Sequence, residues 1–345
     1  MFDNKENTSL DKLGEFGLID LITKSVEIKE PSTVKGIGDD AAVINHTDKR
    51  VLVSTDLLLE GIHFDLRYVP LKHLGYKAVQ VNLSDIYAMN GIATQITFSI
   101  GLSSKFPLEA VEEIYAGAIL ACKKYHVDLI GGDTSASKQG LVISVTSLGH
   151  ALAEDITYRN GAQEGDLICV SGDLGGAYVG LQLLEREKQI FLENPNIQPD
   201  LEGKDYIVER QLKPEARLDI VKLLQDIAVR PTAMIDISDG LASDILHICK
   251  QSNKGCKLYE DKIPIDQMTY DTAREFGLDP TVCALNGGED YELLFTIKQA
   301  DYDKIKGDVD ITVIGHITAE SEGHHLITKA GNMHQIKAQG WNAFG

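Results

Sequence analysis

Aspartates recur at glycine-marked turns beside short apolar stretches. They are Asp39 and Asp40 after Gly38, Asp56 after Ser54-Thr55, Asp133 after Gly131-Gly132, Asp173 before Gly175-Gly176, Asp236 and Asp239 before Gly240, and Asp290 after Gly287-Gly288-Glu289. Taken singly, each is explained by an Asx turn or a helix cap. Taken together, they are a set of hard oxygen donors placed where a rigid scaffold presents functional groups. Asp85 belongs with them: Leu74, Ala78, Val81, Asp85 and Met89 recur at helical steps, which sets a carboxylate and Asn82 among apolar neighbours. A buried carboxylate without a partner shifts its pKa or is costly. Lysines and arginines are few around these motifs, so divalent cations are the economical partners, and Asp, Ser and Thr oxygens select magnesium or calcium over zinc.

Several such cations imply a phosphate-rich ligand. Two like unit charges about 4 Å apart repel by roughly 4 kcal/mol at an effective dielectric of 20, so a polyphosphate beside these carboxylates needs metal ions between them. Bridging metals that neutralise and align phosphate oxygens are the means of phosphoryl transfer. The sequence has neither the P-loop G-x-x-x-x-G-K-[ST] nor a protein-kinase catalytic-loop motif. GIGDDAAVI, at 36–44, satisfies G-x-G-x-x-A, but it leads into strand-like AAVI and puts two carboxylates where a dinucleotide's pyrophosphate would lie.

The elements that must hold these residues read as follows. AAVI (41–44) and RVLVST (50–55) suggest a hairpin; 71–89 is a helix stopped by Asn90-Gly91; 94–102 is a strand. A helix opens at Pro107 and runs to about His126, strand 127–130 delivers Gly131-Gly132-Asp133-Thr134, and strand 141–148 closes the half. The polar stretch 151–165 reads as a junction, giving domains 1–150 and 151–345. Beyond it come strand 166–170, the loop SGDLGG, a helix from Ala177, a polar insert at 193–204 and helix 214–227. Strand AMIDI precedes SDGLASDILHICKQS, followed by a helix at 270–276 and strands 291–297 and 312–317. This mixed order of strands and helices predicts an α+β fold with mixed or antiparallel sheets and helices packed on them. VLVSTD (51–56) and MIDISD (234–239) echo one another, each an apolar strand running into a hydroxyl and an aspartate.

Composition narrows the partners. The 345 residues can bury a sizeable core, and 52 acidic against 33 basic side chains give a formal charge of −19, which excludes an extended nucleic-acid or anionic-membrane surface. Phosphate ligands remain possible through local basic groups or metals. No run of about 18 apolar residues occurs, and the polar, acidic start lacks the pattern of an export signal, so a cytoplasmic location is expected. The five scattered cysteines fit reduced thiols, and His247, Cys249 and Cys256 lack the paired spacing of a zinc site.

An ordered set of motifs carries a resemblance. GEFGLI (14–19), GIGDDAAVI, STDLLLEGIHF (54–64), YKAVQVNLSDIYAMNG (76–91), LIGGDTSAS (129–137), RNGAQEGD (159–166), IDISDGLASDI (235–245) and GGEDYELLFT (287–296) resemble the thiamine-monophosphate kinase family of the aminoimidazole-ribonucleotide-synthetase-like superfamily. The resemblance implies magnesium-assisted transfer of the γ-phosphoryl of ATP to thiamine monophosphate. It also implies a homodimer built through the first domain and a site in the cleft between domains. Asp40, Ser54, Thr55, Asp56, Asp85, Asp133, Asp236 and Asp239 would hold magnesium, with Asp56, Asp85, Asp133 and Asp239 central to catalysis; Asp39 is either a further ligand or a turn-former. Tyr115, Gly132, Asp133, Arg159 and Ser238 would contact ATP, and His63, Glu289 and Trp341 the thiamine phosphate. Tyr115 also reads as a core residue, His63 as a polar hairpin residue and Trp341 as an anchor of the carboxyl tail. That tail, Gly340-Trp341-Asn342-Ala343-Phe344, lacks the histidine usual in the family. Other readings are another ATP-dependent enzyme of the superfamily, of selenophosphate or aminoimidazole ribonucleotide synthetase type, and a non-catalytic nucleotide-magnesium sensor. The first cysteine here is Cys122, whereas selenophosphate synthetases usually carry a reactive one near the amino terminus.

Overall fold

The computed structural model describes Leu21 and residues 23–35, 43–45, 48–103 and 105–339. Asp39, Asp40 and Trp341 lie outside them, as do GEFGLI and most of GIGDDAAVI. The described residues fall into two compact units, one within Met1–Ile86 and Gly91–Glu154, the other within Tyr87–Asn90 and Asp155–Gly345.

In the first unit, β1 (Thr33–Lys35) pairs antiparallel with β2 (Val43–Ile44). There follow β3 (Arg50–Leu59), α1 (Leu71–Ala88), β4 (Ile92–Leu102), α2 (Leu108–Tyr125), β5 (Asp128–Gly131), β6 (Thr134–Ala136) and β7 (Val142–Ala151). The sheet order is β3–β7–β4–β5, with β6 also pairing β4; β5 and β6 run parallel to β4 and the other pairs are antiparallel. Of the expected hairpin between 41–44 and 50–55, the described residues Val43–Ile44 do not pair with β3. β2 takes β1 as its partner, while β3 pairs with β7 from Arg50↔Ala151 to Leu59↔Val142. A ten-residue strand finds full pairing only with a partner of equal length, and that partner lies far along the chain.

Alternation along β4 and β7 buries Ile96, Phe98 and Ile100 together with Ile143 and Val145, and α1 and α2 add Leu74, Leu83, Ile86, Val111 and Ile114 to this core. Each such side chain contributes about 1.5–3 kcal/mol of burial. The two helices touch backbone to backbone: a Cβ on Gly75 would lie 1.8 Å from the Ile114 carbonyl oxygen, and one on Gly117 1.8 Å from that of Lys72. α1 ends as its sequence indicates, with Asn90 left-handed at φ 56° before Gly91.

The second unit runs β8 (Leu167–Ser171), α3 (Gly176–Glu193), α4 (Asp205–Leu212), α5 (Leu218–Asp226), β9 (Ala233–Asp236), α6 (Leu241–Ser252), β10 (Lys254–Tyr259), α7 (Gln267–Glu275), α8 (Pro280–Asn286), β11 (Leu293–Ile297), α9 (Tyr302–Ile305), β12 (Ile311–Ala319), β13 (His324–Ile327) and β14 (Met333–Gln335). Its sheet is ordered β14–β13–β10–β12–β8–β11–β9. The sequence pattern does not predict α4, α8, α9, β10, β13 or β14. α8 did carry a local signal, since Asp279 caps it by accepting from Thr281 N at 2.8 Å and Pro280 opens it. β10 did not: Cys256 and Leu258 are too few apolar residues to mark a strand without the sheet around it. The echo between VLVSTD and MIDISD marks different strand positions, because β3 continues three residues past Asp56 whereas β9 stops at Asp236. Among the described residues no helix is long and apolar enough to cross a membrane.

Candidate functional site

In the first unit the pleat of β3 sends Ser54 and Asp56 to one face and Thr55 to the other. Ser54 Oγ donates to Asp85 Oδ2 of α1 at 2.5 Å, and the Asp56 N–H donates to Asn82 Oδ1 at 2.9 Å. Asn82 is itself fixed, its Nδ2 donating to the Ala78 carbonyl at 2.9 Å and its own carbonyl accepting from Ser147 Oγ at 2.9 Å. Burial first, and the neighbouring Asp85 carboxylate second, push Asp56 up to about 6. The structure thus brings Ser54, Asp56 and Asp85 together and adds Asn82, which the helical spacing had placed beside Asp85 without a role. The Thr55 side chain is not with them: its Oγ1 donates to the Val145 carbonyl at 3.0 Å and accepts from Thr146 Oγ1 at 3.1 Å.

His63 closes the turn after β3. Its Nδ1 accepts the Leu59 N–H at 3.0 Å, which fixes the neutral tautomer with the proton on Nε2. Tyr115 is 5% exposed within α2, its ring 5.1 Å from that of Phe98. Burial pushes its phenol up to about 12 against the opposing hydrogen bond to Thr134, which follows Asp133. Asp133 is exposed, and its carbonyl accepts the Ile100 N–H at 2.8 Å. Gly132 is required by contact, because a Cβ there would lie 1.9 Å from the Phe98 carbonyl oxygen.

In the second unit Asp236 ends β9, 3% exposed, and Ser238 and Asp239 form the turn into α6. Asp244, in the first turn of α6 and 1% exposed, had no role in the sequence reading. Its carboxylate accepts the Asp239 N–H at 3.3 Å, and burial, then Asp236 and Asp239, push it up to about 8. The signal for it was available: Asp244 stands beside Leu241, Ile245 and Ile248 on the apolar face of the helix. GGEDYELL is bonded to this turn through the main chain, Glu289 N to the Ser238 carbonyl at 2.8 Å and Tyr291 N to that of Ile237 at 2.9 Å. Glu289 and Tyr291 take positive φ, 58° and 52°, conformations sparsely populated by side chains of this size. Glu289 accepts from Gln211 Nε2 at 2.9 Å. Arg159 is exposed and its carbonyl accepts from Ser252 Oγ at 3.3 Å.

A second polar cluster supports GGEDYELL from beneath. Glu292, 2% exposed, receives Arg210 Nη1 at 2.8 Å, Ser171 Oγ at 2.5 Å and Arg217 Nη1. Asp290 accepts Gly175 N at 2.8 Å and Ala177 N at 3.3 Å, capping α3. Burial nonetheless outweighs Arg210 and these amides and pushes Asp290 up to about 7. Burial works against the charge on Arg210, yet Glu292 and Asp290 raise its pKa above the ordinary arginine value.

The donor set suits a hard cation. Half-buried Asp56 beside Asp85, and buried Asp244 beside Asp236 and Asp239, are carboxylates held near like charges, which together with burial raises the pKa of Asp56 and of Asp244. Among the described residues no three His, Cys, Asp or Glu side chains converge on one point as a ready-made metal cage. Magnesium does not need one, since it retains water and takes one or two carboxylates plus substrate phosphate oxygens. The soft-ligand alternative is absent from the described residues; Cys249 and Cys256 are buried free thiols hydrogen-bonded to each other.

Comparison with known proteins places this architecture. Residues 38–151 match the AIR synthase related protein N-terminal domain and residues 163–327 the corresponding C-terminal domain. The thiamine-monophosphate kinase of Aquifex aeolicus (strain VF5) is 36% identical over 335 residues, covering 97% of this chain and 99% of the relative. A solved structure described as "AaThiL complexed with AMPPCP and TMP" is 33% identical, covers 99% of this chain and 100% of its own, and superposes with a TM-score of 0.74. The thiamine-monophosphate kinase of Stenotrophomonas maltophilia K279a gives 31% identity, 94% and 98% coverage and a TM-score of 0.78. Hydrogenase maturation protein HypE shares the fold at 18% identity, with a TM-score of 0.72. With one-third identity sustained over almost the full length of chains of the same two-domain make, this chain belongs to the thiamine-monophosphate kinase family of AIR synthase related proteins.

Proposed function

We propose that this protein transfers the γ-phosphoryl group of ATP directly to the phosphate of thiamine monophosphate, giving thiamine diphosphate and ADP. The observation that carries the proposal is the near full-length likeness to a relative solved with AMPPCP and TMP. The paired carboxylates Asp56–Asp85 and Asp236–Asp239–Asp244 agree with it. Asp56, Asp85, Asp133, Asp236 and Asp239, with Asp40 and Asp39, would hold several Mg2+ ions, with Ser54 beside Asp85; the Thr55 side chain, on the other face of β3, is left out of this set. When bound, magnesium neutralises phosphate oxygens and holds them in line for transfer. Ser54 orients Asp85, and Asn82 fixes the backbone that carries Asp56. His63, its Nδ1 accepting the Leu59 N–H, is assigned to the acceptor phosphate. That phosphate has a second pKa of about 6, so near neutral pH it attacks without a general base and no phosphoenzyme is needed. Tyr115, Gly132, Arg159 and Ser238 are assigned to ATP, and Glu289 and Trp341 to the thiamine moiety.

The deciding experiment supplies purified protein with Mg2+, ATP and either thiamine monophosphate or free thiamine. Equimolar thiamine diphosphate and ADP are expected with the monophosphate and no transfer to thiamine. ATP consumption without thiamine diphosphate would point instead to another enzyme of the superfamily, and no turnover to a sensor.

We also propose a homodimer through the first unit. Strand β3, at the edge of its sheet among the described residues, presents Val51, Val53 and Leu57 at 49%, 63% and 51% exposure on one face, a row of apolar side chains. Val53→Asp is expected to convert the dimer to a monomer by light scattering; a monomeric wild type would refute the assignment.

A further inference from the structure

The segment leading into β1 has no anchor in the core. None of the described residues between 23 and 33 is buried, and Ile28 is 47% exposed. Val26 and Lys29 line one side of a small cavity whose other side is formed by Ile119, Cys122, Val127 and Leu129. Two buried polar side chains hold the segment instead. Asp128, 1% exposed at the start of β5, accepts the Lys29 N–H at 2.7 Å on Oδ1, and the Glu30 N–H at 3.0 Å and Thr33 Oγ1–H at 2.8 Å on Oδ2. Gln95, fully buried and the register partner of Asp128 on β4, donates from Nε2 to Ser32 Oγ at 2.7 Å and Thr33 Oγ1 at 2.8 Å. Its Oε1 accepts from Thr94 Oγ1 at 2.7 Å, which fixes the amide's orientation.

Apolar packing tolerates sliding, whereas directional hydrogen bonds to a carboxylate specify a register. The clamp joins two lead-ins within one unit. Asp128 opens the strand that runs into Gly132-Asp133, and Thr33 opens the strand that precedes residues 36–42. We infer that Asp128 and Gln95 are positioning residues for phosphoryl transfer, registering the described segment 26–35 against the strand that delivers Asp133. The inference rests on the proposed role of Asp40 and Asp133 in holding magnesium. Neither Asp128 nor Gln95 is assigned to touch substrate or metal; each acts through the segment it holds.

The test uses Asp128→Asn and the milder Thr33→Val, which keeps the carboxylate and removes one O–H. In the metal-free full-length protein, hydrogen exchange at the Lys29 and Glu30 amides is expected to accelerate by about tenfold in Asp128→Asn, as loss of a charge-assisted acceptor predicts. The Mg2+ concentration giving half-maximal thiamine diphosphate formation is expected to rise by about tenfold in Asp128→Asn and about threefold in Thr33→Val, with kcat at saturating Mg2+ within about twofold of wild type. Faster exchange with an unmoved Mg2+ midpoint would make the clamp merely structural and overturn the inference, as would unchanged exchange. Should Asp128→Asn fail to fold, Thr33→Val carries the test. Asp40→Asn separates the two levels: if it turns over like wild type, the magnesium assignment itself falls. If it is inactive while both clamp variants match wild type, only this inference falls.

Discussion

Asparagine at Asp56 is expected to make the metal-free protein more stable above about pH 7 and to cost about a hundredfold or more in kcat, the scale on which loss of one preorganised electrostatic group falls. The two effects share one cause. Burial and Asp85 hold the Asp56 carboxyl at about 6, above its ordinary range. A group whose folded pKa exceeds its unfolded value of about 3.9 contributes stability below that value and loses it as pH rises through the folded pKa. Wild-type protein without metal should therefore lose stability between about pH 4 and 6 relative to the variant, whose neutral amide leaves no charge facing Asp85. The same amide is a poor partner for a divalent cation. Thermal melts against pH, with and without Mg2+, and single-turnover assays check both halves. Near-normal turnover in the variant would defeat the metal assignment, and an unchanged metal-free melting profile would show that Asp56 is not strained by its surroundings.

Glu292→Ala should destabilise the second unit strongly, by about 3 kcal/mol, the low end of the cost of breaking a buried pair, because Arg210 keeps Asp290 and Arg217 keeps Asp219. Two guanidiniums meet this one carboxylate, Arg210 at 15% and Arg217 at 11% side-chain exposure, and Ser171 donates to it as well. Ser171 in turn accepts the Leu293 N–H at 2.8 Å, so the loss reaches the pairing of β8 with β11. Against a typical domain stability of about 5–15 kcal/mol this is a large fraction. Urea denaturation measures it. The control is Glu322→Ala, which removes an exposed pair with Lys257 and should leave the midpoint where it was. Equal effects from the two variants would mean that the Glu292 cluster is no more than a surface pair in energetic weight.

Candidate donors are legible in one dimension because they depend on residue type and local turn geometry. Aspartates at glycine-marked turns offer hard oxygen donors, whose metal role is the proposal above, and α1 and α2 are readable from their spacing, Asn90 and Pro107. Strand partners were not, because a ladder is chosen between segments distant in sequence; β3 met β7 rather than nearby Val43–Ile44. Nor could the sequence show that Thr55 turns away from Ser54 and Asp56, since the pleat acquires sides only when one face is packed.

Asp244, Asn82 and Asp128 make the same division sharper. Helical spacing marks Asn82 and Asp244 as polar residues on apolar faces, but only the fold supplies the backbone N–H groups that they and Asp128 accept, from Asp56, from Asp239, and from Lys29 and Glu30. The sequence by itself determined the absence of a P-loop, the α+β class and the family, and it offered the hard oxygen donors as candidates. Tertiary structure alone decided which carboxylates stand close enough to repel and which buried groups hold their loops, because Coulomb energy and hydrogen bonding depend on distances that only the packed chain defines.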